Sequence, residues 1–76
     1  MTVALIGPEE YFDVFRALGA AVFSARDSAT AEAIVRGLNP DEYAAVFLAE
    51  TLVTTPFLQT FVKSRDAVMT IPVGGG

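Results

Sequence analysis

Two apolar patterns alternate along the chain. Residues 2–6, 20–24, 44–48 and 67–71 are short, nearly continuous apolar runs rich in Val, Ile, Leu or Phe and bounded by turn residues, the signature of strands with both faces covered. Between them, apolar residues recur at helical spacing. The first such segment carries Tyr11, Phe12, Val14, Phe15 and Leu18 on one side, with Asp13 and Arg16 on the other; the second carries Ala31, Ile34, Val35 and Leu38; the third carries Phe57, Leu58, Phe61 and Val62.

Punctuation between these segments agrees with the periodicity. Gly7-Pro8 stops the first strand, Pro8 suits a first helical position, and Glu9 and Glu10 place negative charge where exposed amides favour it. Gly19 is placed to close the first helix, Ser28 to cap the second, and Thr54 or Thr55 to cap the third ahead of Pro56. Lys63 and Arg65 fall in the last turn of that third helix. Of Tyr11, Phe12 and Phe15, a helix lying on a sheet is expected to bury all but one.

Strands alternating with helices of about ten residues imply right-handed crossovers and a parallel sheet. The expected fold is a three-layer α/β/α arrangement with a four-stranded parallel sheet in the order 2-1-3-4, which makes the most apolar runs central. Residues 1–73 read as a single domain, and residues 74–76 as a flexible glycine tail.

Composition narrows the function. Hydrophobic residues are 53% of 76, more than so small a body can hide, so part of the apolar surface is expected to face a partner. A net charge of −4 is the wrong sign for nucleic acid or an anionic bilayer, and no apolar run approaches the ~20 residues of a membrane span. With no cysteine and no leader pattern, the cytoplasm is the expected location.

Histidine, cysteine and tryptophan are absent, which removes the histidine base, the thiolate nucleophile and the commonest zinc ligands. The serines lie in no nucleophile elbow. Ligands of open α/β sheets bind where strands end at the switch point, here the loop of Gly7, Pro8, Glu9 and Glu10 facing Glu50. That site is acidic and lacks the glycines and lysine of a phosphate loop, so no cofactor and no catalytic residue is expected. Glu9, Glu10 and Glu50 leave open a degenerate receiver-like signalling domain holding a divalent cation, and a small metabolite-binding domain is the other alternative. Arg16 lies off the apolar stripe and is either a partner contact or paired with Glu9 or Asp13.

Several motifs carry a family resemblance. Leu5-Ile6-Gly7-Pro8-Glu9, the run Phe15-Arg16-Ala17-Leu18-Gly19, the stretch Val46-Phe47-Leu48-Ala49-Glu50-Thr51 and the final Ile71-Pro72 occur in the order found in the small globular stalk component of V/A-type rotary ATPases, lettered F in most of them and G in some sodium-pumping forms. The chain resembles that family's N-terminal domain over nearly all its length. It departs where Pro8 takes the place of the usual aspartate, where Ala49 replaces threonine, and in lacking the family's C-terminal helix. The resemblance implies a non-catalytic central-stalk (rotor) protein, peripheral to the membrane in the cytoplasm. Such a protein clamps the coiled-coil shaft of the central stalk, lettered D, beneath the A/B catalytic head. It also implies Phe15, Arg16 and Gly19 as contact residues or their support.

Overall fold

Strand β1 (Val3–Gly7) is flanked on one side by β2 (Ala21–Ser24) and on the other by β3 (Ala45–Ala49), with β4 (Val68–Ile71) beyond β3. All three pairings are parallel, giving the order 2-1-3-4 anticipated from the apolar runs. A computed structural model describes residues 2–73; residues 74–76, read from the sequence as a flexible tail, lie outside the described residues.

Register sorts the side chains onto two faces, because paired residues of a parallel sheet point the same way and successive residues alternate. One face carries Ala4, Val46 and Val68 in one row and Ile6, Phe23, Leu48 and Thr70 in the next. The other carries Val22, Leu5, Phe47 and Met69 in a single row, with Gly7, Ala49 and Ile71 above it.

The first face holds the main core. Helices α2 (Ser28–Gly37) and α3 (Pro56–Ser64) bring Ala31, Val35 and Leu58 into a buried cluster with Ala4, Ile6, Val46, Leu48 and Val68. Both helices start on a side-chain cap. Thr55 Oγ1 accepts from the Leu58 N–H at 3.2 Å, with Pro56 at the first position as expected. For α2 the cap is Asp27, not Ser28: its Oδ1 accepts from the Thr30 N–H at 2.7 Å. Ser28 sits one residue inside, where its hydroxyl donates to the Leu52 carbonyl at 2.7 Å and ties α2 to the turn after β3. On α3 the apolar face is shallower than its periodicity suggests. Only Leu58 is buried, while Phe57, Phe61 and Val62 are half-buried.

The second face differs most from expectation. Periodicity predicts a single amphipathic helix from Glu9 to Leu18; the chain instead forms a 3-10 turn, Glu9–Tyr11, and a five-residue helix α1, Asp13–Ala17, hinged at Phe12 with φ −116° and ψ 0°. Phe12 is turned down onto the sheet and is 1% exposed. Tyr11, Val14, Phe15 and Leu18 remain exposed, so the expected buried stripe reduces to one ring. A helix this short spans about 8 Å and cannot roof four strands some 4.8 Å apart. The architecture is therefore layered on both sides, but thickly on one and thinly on the other.

Candidate functional site

Gly7 ends β1, with Pro8 and Glu9 following it, and Glu50 follows the neighbouring parallel strand β3; the geometry there explains the glycine without a ligand. A Cβ added at Gly7 would lie 2.8 Å from Ala49 Cβ and 2.8 Å from Phe12 Cε2. The missing side chain is the space in which the Phe12 ring rests. Pro8, in extended conformation, leads into the 3-10 turn, and its carbonyl accepts from the Tyr11 N–H at 3.1 Å.

The carboxylates beside it are engaged or dispersed. Arg16 bridges Asp13 at 3.0 Å and Glu9 at 3.5 Å, while Arg26 holds Glu10 at 2.7 Å. The Glu10 carboxyl is held below its ordinary value, first by its own backbone N–H and then by Arg26, against a partial opposing cost of desolvation. Asp27 is lowered as well, by the Thr30 N–H that it caps. Glu50 opens the 3-10 turn Glu50–Leu52 and makes no ion pair among the described residues. Among those residues, too, no three acidic, histidine or cysteine side chains are grouped to hold a metal ion.

Phe15, Arg16 and Gly19 lie together around the end of α1. Phe15 is exposed and packs edge-on against Phe12, centroids 6.5 Å apart. The partners of Arg16, Glu9 and Asp13, are the two carboxylates that the sequence offers as its alternative to a contact role. Gly19 has φ +98° and open space around its absent Cβ, so it turns the chain after α1 instead of clearing room for a neighbour. Its carbonyl accepts from Thr2 Oγ1 at 2.7 Å, fastening the turn to the start of β1.

Sequence reasoning misses the apolar surface around these residues. The large hydrophobic side chains exposed among the described residues are Tyr11, Val14, Phe15, Leu18 and Met69, with Leu18 80% and Val14 66% exposed. All five lie on α1, on the turns flanking it, or on the sheet face beneath it. A signal for it exists: right-handed crossovers in the order 2-1-3-4 put α1 on one face and both other helices on the opposite one. Elsewhere, a shallow groove of about 380 Å³ runs along α3, lined by Pro56, Phe57, Thr60, Phe61 and Ser64. The guanidinium of Arg36 stacks over the Phe57 ring at 4.1 Å.

No helix is long and apolar enough to cross a membrane among the described residues. In comparisons with known proteins, no family model, no curated protein and no solved structure matches the chain.

Proposed function

We propose that this chain is a non-catalytic docking domain serving as a central-stalk component, of the F kind, in a V/A-type rotary ATPase. It grips the coiled-coil shaft lettered D below the A/B catalytic head and turns with it, coupling ATP turnover to proton or sodium transport from the cytoplasmic side. The observation that carries the reading is the gathering of the exposed large hydrophobics on the α1 side of the sheet. A surface of this kind suits an apolar helix face better than a small polar substrate. The order of the four motifs along the chain supplies the choice of machine.

Co-purification of the chain with a stalk coiled coil tests this directly. Arg16→Ala should weaken the complex while leaving the isolated fold intact, since exposed pairs such as Arg16 with Asp13 are worth about 0–1 kcal/mol. Failure to bind any such coiled coil, together with a melting temperature raised by magnesium or by a metabolite, would move the assignment to a receiver-like or ligand-binding domain.

A further inference from the structure

Resting on the docking reading, we infer that the strip of sheet over β3 and β4 beside α1 seats one basic amphipathic helix of the partner. The floor of that strip is Phe47, Met69 and Ile71, all on the α1 face by register. Phe47 belongs to a central strand yet is only half-buried, and Met69 is 39% exposed. Leu5, in the same row on β1, is buried. The roof therefore ends on β3, over buried Ala49 and short of half-buried Phe47.

Two strands at about 4.8 Å spacing leave a lane about 10 Å wide, the diameter of one α-helix with its side chains.

Charge selects the occupant. All four arginines are held by carboxylates. Glu42 before β3, Asp66 before β4 and Glu50 after β3 are exposed and form no ion pair among the described residues. The floor of the lane is thus apolar, and the loops bounding its two strands carry these carboxylates. The remaining basic side chain, Lys63, sits at the end of α3 in the opposite layer. A helix with an apolar stripe and lysines or arginines toward its two ends complements this arrangement. A second copy of the chain, itself at −4, brings carboxylates to carboxylates.

The test uses the isotopically labelled chain, a stalk coiled coil, and two synthetic helices of roughly 15 residues sharing one leucine face but carrying either lysine or glutamate elsewhere. The lysine helix should shift the amides of Phe47, Met69 and Ile71 and bind roughly tenfold or more tighter than the glutamate helix. Met69→Lys, at an exposed position of an edge strand, and Glu50→Lys, outside the core, should each weaken it by about tenfold, while Thr60→Glu in the α3 groove should change nothing. Equal affinity for the two helices, shifts centred on α3, or no binding of the lysine helix overturns the inference. A coiled coil that binds Met69→Lys as well as the unsubstituted chain sinks the lane but keeps the stalk reading. A lysine helix seated on the lane of a chain that ignores every stalk coiled coil does the reverse.

Discussion

Single atoms decide two features of this chain. The hydrogen at Gly7 in place of a methyl is what lets Phe12 lie on the sheet, since a Cβ there approaches both Ala49 and Phe12 to 2.8 Å. Ala49 belongs to a central strand and cannot yield easily, so Gly7→Ala should cost about 1–3 kcal/mol in urea unfolding and loosen the turn Glu9–Tyr11. Asp27 offers a pH handle. Its folded-state value is depressed by the Thr30 N–H, so the stability it lends is complete above the unfolded value and is lost as pH falls through the folded one. The stability gap between the unsubstituted chain and Asp27→Ala should accordingly narrow below about pH 4 and be constant above about pH 5. Equilibrium unfolding across that range reads it out.

At the scale of elements, strands are more legible in the sequence than helices. Apolar runs bounded by Gly, Pro and Asp mark all four strands to within one residue, because runs this short between turn residues are too brief for helices, even where one face stays exposed as at Met69. The first helix departs from its periodicity for a physical reason. Its five apolar side chains sit at helical spacing, but periodicity reports which residues share a side and says nothing about whether anything lies opposite to bury them. Phe12 takes the one place available above Gly7, and the backbone breaks at that residue to deliver it. Ser28 is the cap that the polar run before α2 suggests; Asp27, one position earlier, offers the same acceptor with a charge. The strand-end loop lies where the topology rule puts it, and the pairing of Arg16 with Glu9 and Asp13 is one the sequence offers, but the role of Gly7 and the pairing of Glu10 with Arg26 depend on approaches that no linear spacing encodes. The split between buried and exposed apolar residues around α1 is measurable. Phe12→Ala should destabilise by about 3–5 kcal/mol, whereas Leu18→Ser, at an exposed helix end, should stay within about 0.5 kcal/mol in thermal or urea unfolding.

For the whole molecule, the uneven layering is the organising fact. One side of the sheet is sealed by α2, α3 and a continuous core; the other carries one short helix and the exposed apolar residues. Burial is thereby concentrated on one side, and substitutions of the exposed residues on the thin side should cost the fold little. Strand order adds a constraint in time. The strand nearest the amino terminus is central, and its neighbour β3 is not complete until Ala49 has been added. While the chain is emerging from the ribosome, β1 must wait with one hydrogen-bonding edge vacant until β3 follows, an interval in which intermolecular pairing competes with folding.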